Sequence, residues 1–403
     1  MPHPIVFVAH VVTEVLNEGF LLAARELELA PVIVTDLPSD HRRHFAQEGL
    51  IAYPEAVLGC DVFNPIAILE TLQEAGITPQ AVFSHSDHLQ AATALVADAF
   101  GLPGKDWRVC FAAKNKAAMR QRLDELALSP CWHRLVTTPE RLDEIAPECP
   151  LPCVVKPREG VASLDVSRID TREALISCCE DLWRRHPGQA LLIEEYLEGP
   201  LYTLETLGDG DRCELLGGFR VELSPPPHFI ELAAHWGLDL AQPVIDDIIE
   251  QIRRFGIGFG SCHSEFVLTP TGPRLIEINY RTIGDGREFL LDETLGIELF
   301  QTILRLHLGE ALPRLDIARK ELRIEYVRAT RSGRLVQAPE AFRRRWEDGF
   351  VDFHPLRRPG EQLTLSHSNK DYLGVLRAAG DCTDHLKEHV ATTLSSLTWE
   401  VQP

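Results

Sequence analysis

Three apolar runs near the start of the chain restrict its fold more than any other feature. IVFVAHVV (5–12) and PVIVTD (31–36) are apolar almost throughout rather than alternating, and AVFSHSD (81–87) begins the same way. A strand without a polar face must be covered on both sides, which is the situation of a parallel sheet flanked by helices. The intervening segments supply those helices, one expected from Glu18 to Leu29 and one around ILETLQEAG (68–76). Residues 1–110 therefore predict a small α/β domain with a Rossmann-like parallel sheet.

Beyond Pro103-Gly104, FAAKNKAAMRQRLDELALSP (111–130) spaces Ala113, Ala117, Met119, Leu123 and Leu126 near a helical period and stops at Ser129-Pro130, so it predicts one helix opening a second unit. In that unit CVVKP (153–157) predicts a strand entering the loop EGVASLDV (159–166), and LLIEEYL (191–197) a strand running into Gly199-Pro200. A helix is expected near PVIDDIIEQIRRFG (243–256), a strand-turn-strand over RIEYVRATRSGRLV (323–336), and a last helix from Cys382 to Leu397. No low-complexity linker interrupts the series, which predicts units packed as one body.

Composition narrows the function. The chain has 403 residues, and 45% hydrophobic with 25% charged is the balance of a folded protein. A formal net charge of -20 opposes general affinity for nucleic acid or anionic membranes, which need clustered cations. The one basic run, Arg343-Arg344-Arg345, is followed at once by Trp346-Glu347-Asp348 and is read as a solvated helix face, as is His41-Arg-Arg-His44. No apolar stretch approaches the ~18 residues of a membrane span, and the opening lacks the basic flank of a signal peptide. The ten cysteines contain no C-x-x-C pair, which predicts reduced thiols in a cytoplasmic protein.

The chemistry concentrates in SEFVLTPTGPRLIEINYR (264–281), two β runs joined by a Pro- and Gly-bearing turn. A hairpin symmetric about Thr271 makes Glu265 and Glu277 cross-strand partners. Opposed like charges destabilise a sheet, so removing one is expected to leave the metal-free protein as stable or slightly more so. A hard divalent cation would offset the repulsion, and Asn279, one strand period on, adds a neutral oxygen to the same face. Arg281 follows one period later, where it can meet a phosphoryl group. Lys156 ends an apolar strand just before a loop containing Gly160 and Ser163, whose backbone N–H groups can cradle phosphate.

On these residues, Glu265 followed by Glu277-Ile-Asn279-Tyr-Arg281, and on the order of its units, the chain resembles the ATP-grasp superfamily of carboxylate-amine ligases. The resemblance implies a pre-ATP-grasp domain (1–110), an ATP-grasp domain (111–312; lid about 111–195, core about 196–312) and a closing α+β element (313–403). It implies ATP with Mg²⁺, or Mn²⁺ in its place, held by Glu265, Glu277 and Asn279. Lys116 and Lys156 would grip the nucleotide, with Lys156 and Arg281 acting on the transferred phosphoryl group. LLIEEYLEGPLYTLE resembles the adenine hinge, with Glu194 accepting from the amino group, Glu195 and Leu197 reading the ring edge through their backbone, and Tyr196 packing. Two departures stand out: Asp165 where many relatives have glycine, and Leu201 where many have a ribose-binding Glu, so that Glu198 or Glu205 would take that place. Replacing Asp165 by glycine is expected to raise ATP affinity. The strand end His85-Ser-Asp87-His88 would touch substrate, and Asp285 and Arg287 would bind it.

The implied reaction activates a small carboxylic acid as its acyl phosphate, joins it to an amine as an amide or peptide and releases ADP and phosphate. NYRTIGDG and VAHVVTEVLNEGF also resemble short stretches of siderophore-pathway ligases, beside which dipeptide synthesis stays open. The competing readings are a biotin-carboxylase-like enzyme using a separate carrier, because the chain has no Met-Lys-Met site, and a non-catalytic nucleotide-binding regulator. A homodimer is compatible with all of them.

Overall fold

The computed structural model describes residues 3–47 and 49–403. Strands β1 (His3–Ala9), β2 (Leu29–Thr35), β3 (Ala56–Gly59) and β4 (Ala81–Phe83) form a parallel sheet ordered β3-β2-β1-β4. Helices α1 (Leu21–Glu26), α2 (Pro38–Phe45), α3 (Pro65–Glu74) and α4 (Gln90–Ala99) connect and cover it. The apolar runs split by strand period: Val6, Val8, Val32 and Val34 pack with Ile68, Leu72 and Val96, while Ile5, Phe7 and Ile33 enter the large central core. The helix expected over Glu18–Leu29 is displaced. A π-helical segment, Val15–Phe20, precedes α1, and Leu29 already belongs to β2 because Glu28 turns the chain at φ 57°. His41 and His44 do lie on a helix, but His41 is buried against the His10 carbonyl at 3.1 Å.

The single helix expected over 111–130 is two, α5 (Trp107–Lys114) and α6 (Lys116–Glu125). Asn115 breaks them because its side chain caps the second, accepting from the N–H groups of Ala117 and Ala118 at 3.2 and 3.1 Å. The break puts Lys116 at the first helical position. Both helices pack on a core that includes Leu204, Phe266, Leu275 and Ile278 of the large sheet built later in the chain.

A four-stranded antiparallel sheet, ordered β5-β8-β6-β7, follows from β5 (His133–Val136), β6 (Cys153–Pro157), β7 (Ser167–Ile169) and β8 (Leu191–Glu195). Helices α7 (Pro139–Ile145) and α8 (Arg172–Arg185) cover it, and its core is its own.

The remaining chain builds a ten-stranded sheet ordered β14-β13-β9-β11-β12-β15-β20-β18-β17, with β10 beside β9. Its first strands are β9 (Leu201–Asp209), β10 (Cys213–Gly217), β11 (Phe219–Leu223), β12 (Glu231–Trp236), β13 (Phe259–Thr269) and β14 (Gly272–Asn279). Helix α9 (Gln242–Phe255) precedes β13, and α10 (Arg287–Leu295) and α11 (Leu299–His307) follow β14. The last ninety or so residues continue this sheet through β15 (Glu321–Arg328), then, after the separate strand β16 (Gly333–Gln337), through β17 (Phe342–Trp346) and β18 (Gly349–Pro355). Strand β19 (Gln362–Leu363), β20 (Tyr372–Gly380), α12 (Thr383–Ser396) and β21 (Glu400–Gln402) complete the chain, with β16, β19 and β21 in a small sheet of their own.

Arg343-Arg344-Arg345 is therefore not a helix face but part of the edge strand β17. Alternation sends Arg343 and Arg345 to one side, where both reach Glu293 and lie over the Phe350 ring. Charged residues suit such an edge, because they discourage further strand pairing. All ten cysteines are free thiols, and no described helix is long and apolar enough to cross a membrane.

Candidate active site

Glu265 and Glu277 are direct cross-strand partners, but not through a symmetric hairpin. The turn is the two-residue Pro270-Thr271 between paired Thr269 and Gly272, a register that would set Glu265 opposite Ile276. A β-bulge leaves Ile276 unpaired and moves Glu277 into place. Bulges re-aim side chains in this way beside active sites. One face of β9, β13 and β14 then carries the pairs Thr203 with Glu265, Glu205 with His263, and His263 with Asn279.

The repulsion expected between the two carboxylates is offset by protein cations. Lys116 Nζ donates to Glu277 Oε1 at 2.9 Å and to the Gly160 carbonyl at 3.1 Å. Burial opposes the Lys116 ammonium, yet Glu277 more than compensates and raises its pKa. His263 lies between Glu205, 2.8 Å from Nδ1, and Glu265, 3.4 Å from Nε2. Burial works against its charge, but these two acids push its pKa to about 10. Burial would raise the Glu265 pKa, but His263 holds it below the ordinary range. The expected neutral or positive effect of deleting Glu277 is thus corrected: it would strip a buried ammonium of its partner, which destabilises.

Lys156 reaches a different place from the one expected. Its ammonium is 2.6 Å from Glu194 Oε2, at the hinge, rather than on the Glu265–Glu277 face. Glu194 also takes Arg120 Nε at 2.6 Å and Nη2 at 3.2 Å. Burial disfavours the Glu194 carboxylate, but Arg120 and Lys156 bring its pKa down to about 2. Its side chain is thus fully engaged by protein cations. Glu195 itself braces the hinge, accepting from the Trp132 N–H at 2.8 Å. Tyr196 packs on Phe229 and under Arg168. Gly199 is required where the hinge crosses β13, since a Cβ there would sit 2.1 Å from the Leu268 carbonyl oxygen. Glu205, on the same face, is buried and bonded to His263 and Thr203, and it does not line the cleft.

The cleft between the two sheets is lined by Lys116, Lys156, Ser163, Leu197, Glu231 and Glu277, among others, and encloses about 160 Å³. Ligand clefts usually span roughly 300–1,000 Å³. The loop above is held down by Lys116 on Gly160 and by the Asn369 N–H on the Ala162 carbonyl at 3.0 Å. Asp165, at φ 59°, directs its carboxylate away from the cleft to Arg185 at 2.7 Å and His186 at 3.4 Å. It anchors the loop to the end of α8. We therefore expect Asp165→Gly to weaken apparent ATP affinity by about two- to fivefold, the size of a partly exposed ion pair, as checked by nucleotide titration. This reverses the expectation from the family pattern.

Arg281 donates to the Thr282 and Ile283 carbonyls at 2.6 and 2.7 Å, and its Nε is 3.8 Å from Asp87, which Lys114 also binds. The strand-end acid of the first domain is thus part of this cationic group. His85 instead donates to buried Glu288, 2.8 Å away, which also accepts from Thr282 and Gly284. Burial disfavours that carboxylate, and His85 more than compensates, bringing its pKa to about 2. Glu194 and Glu288 are both depressed, so their contribution to stability is present above the ordinary carboxylate pKa near 4.5 and lost as pH falls through about 2. Acid titration followed by near-UV circular dichroism should show tertiary structure lost across that window.

Arg287, the first residue of α10, is buried, with Nη2 2.6 Å from Glu231 Oε2 and from the Tyr326 hydroxyl. Exposed Asp285 accepts from that hydroxyl at 3.3 Å. Burial raises the Glu231 pKa, Arg287 opposes the rise, and Glu265 adds to it. Sequence reasoning missed Glu231, Arg120 and His263. Two had a signal: Arg120 stands one helical turn after Lys116, and His263 one strand period before Glu265. Glu231 had none, because its partner Arg287 lies 56 positions further along the chain and meets it only in the folded sheet.

No protein-family model matches the chain. It is 25% identical over 405 residues to an uncharacterized protein of Sinorhizobium fredii, covering 97% of this chain and 82% of that one. It is 28% identical over 371 residues to carnosine synthase 1 of Gallus gallus, covering 83% of this chain but 39% of the relative. The crystal structure of an L-amino acid ligase from Bacillus licheniformis superimposes with a TM-score of 0.78 at 18% identity, covering 100% of this chain and 99% of that one. The fold is ATP-grasp.

Proposed function

We propose that this ATP-grasp chain is an ADP-forming ligase that couples a small carboxylic acid to an amine. The observation that carries the reading is the bulge-aligned pair Glu265 and Glu277, with Asn279 on the same face, between a phosphate-type loop and a hinge. Two carboxylates and an amide suit Mg²⁺ with phosphate oxygens completing its shell. When bound, Mg²⁺ would neutralise charge on the terminal phosphates.

The protein's own groups do the rest. Lys156 and the hinge backbone would hold the nucleotide's inner end, and Gly160 and Ser163 the loop above it. Lys116 stands at the metal face, with Arg281 and Lys114 beyond it on Asp87. Positive charge thus gathers where the γ-phosphoryl group would pass to the substrate carboxylate, and stabilising it there is the main catalytic term in phosphoryl transfer. The resulting acyl phosphate is attacked by the amine, and phosphate leaves. Arg287 would hold a substrate carboxylate, exchanging it for that of Glu231.

The names of the carnosine synthase and the L-amino acid ligase support amino-acid coupling over a siderophore-pathway role. A phosphate-release screen over amino acids, hydroxy-tricarboxylates and small amines with Mg·ATP tests the reading. Release that requires both an acid and an amine is expected. Release dependent on bicarbonate and biotin would move the chain to the carboxylase reading, and nucleotide binding without turnover across the panel would make it a regulator.

A further inference from the structure

Outside the cleft, two buried cations have no ion-pair partner among the described residues: Lys105, which is satisfied by Gln90 and the Tyr280 carbonyl, and Arg377, which is not. Arg377, in the middle of β20, is 5% exposed. Its cross-strand neighbour on β18 is Asp352, the natural counter-ion. That carboxylate instead binds His354, 2.9 Å away. Arg377 Nε has no hydrogen-bond partner, and Nη2 makes one long contact, 3.4 Å, to the Asp285 carbonyl. Leaving a buried guanidinium so poorly satisfied is costly unless something else completes it.

Arg377 forms the floor of a cavity of about 320 Å³ that shares no lining residue with the nucleotide cleft. Phe289 on α10 and Phe350 on β18 supply apolar walls. Glu14, capping the π-helical segment, and Glu18, within it, stand at the exposed rim, and neither has an ion-pair partner among the described residues. Arg343 and His354 also line the cavity but are taken by Glu293 and Asp352. Asp292 lines the cavity too, with no ion-pair partner among the described residues and the Phe300 N–H as its hydrogen-bond donor. The uncommitted charges are therefore Arg377 at the bottom, Asp292, and Glu14 and Glu18 at the mouth.

We propose that this cavity is a second small-molecule site, for a basic α-amino acid whose carboxylate pairs with Arg377, with the α-ammonium beside it, and whose side-chain ammonium reaches Glu14 and Glu18 at the mouth. A carboxylate satisfies the fork of the guanidinium in bidentate fashion. A phosphate would bring extra negative charge toward the two glutamates, and a diamine alone would leave Arg377 unpaired. The site bears on the cleft through one turn: Arg377 packs so closely on Gly286 that a Cβ there would lie 2.3 Å from Nη2, and Gly286 immediately precedes Arg287.

Calorimetric titration of the full chain with L-lysine, without nucleotide, tests the assignment. One-to-one binding is expected, with cadaverine, which lacks the carboxylate, and L-norleucine, which lacks the side-chain ammonium, each weaker by about tenfold or more, the size of one charge-assisted contact. Arg377→Met should reduce lysine affinity by a similar factor without lowering thermal stability, because it removes an unpaired buried charge. The exposed double variant Glu14→Gln/Glu18→Gln gives the same readout with no risk to folding. Binding should survive Arg287→Lys. No heat at millimolar lysine, cadaverine binding as tightly as lysine, or affinity that survives Arg377→Met would each overturn the proposal.

Discussion

Glu277→Gln is expected to fold and to lower turnover by roughly 10²–10³-fold, the loss typical of removing one electrostatic contributor to a charged transition state. The glutamine keeps an oxygen for Lys116, 2.9 Å from the native carboxylate, so the loop contact through Gly160 should persist. What it lacks is the negative charge that a divalent ion requires. The Mg²⁺ dependence of the residual rate should shift to higher concentration, and binding of nucleotide without metal should change little. Glu277→Ala removes the acceptor too and should lower stability by about 1–3 kcal/mol, the cost of an unsatisfied buried polar group. Steady-state kinetics across Mg²⁺ concentrations and denaturant melts of the two variants separate the effects. Wild-type turnover in either variant would remove Glu277 from the metal site.

The second large effect is structural. Glu194→Ala should destabilise by ~3–5 kcal/mol, because it leaves the buried cations Arg120 and Lys156 without their shared counter-ion. Arg120 would retain only its bond to the Leu275 carbonyl at 2.7 Å, which joins α6 to β14. Lys156 can lose its proton, whereas Arg120 cannot, so the guanidinium sets the penalty. Adding Arg120→Met should recover much of the loss by removing the orphaned charge. Urea unfolding of the single and double variants checks this, and purely additive losses would contradict the account of Glu194 as the common anchor.

The residues most legible in sequence were those governed by strand alternation. Glu277 and Asn279 announce a shared face because a period of two leaves them no other arrangement, whereas Glu265 joins it through the bulge at Ile276, which no local residue type marks. The parallel sheet was legible for a related reason, since IVFVAHVV and PVIVTD have no polar face to turn to solvent. Single residues that redirect the backbone were less so: Asn115 splits a continuous helical pattern by capping, and Glu28 ends a helix early. The arginine run at 343–345 has no apolar periodicity, and its strand state is imposed by pairing with β18. Long-range charge partners stayed hidden altogether. Lys156 adjoins the loop in sequence, yet its ammonium is drawn to Glu194 by burial they share with Arg120.

The central claim is that charge is stabilised at the terminal phosphate. Lys116 on Glu277, with Lys114 and Arg281 on Asp87, gathers cations at that end, whereas Lys156 is committed to Glu194 at the other. Bond breaking between the β- and γ-phosphates is what such a distribution assists. The direct measurement is chromatography of the nucleotides after a completed reaction, with hydroxylamine in place of the amine to trap the activated acid as its hydroxamate. The account predicts ADP and phosphate in amounts equal to the hydroxamate formed; AMP and pyrophosphate would contradict it, even if the hydroxamate had formed.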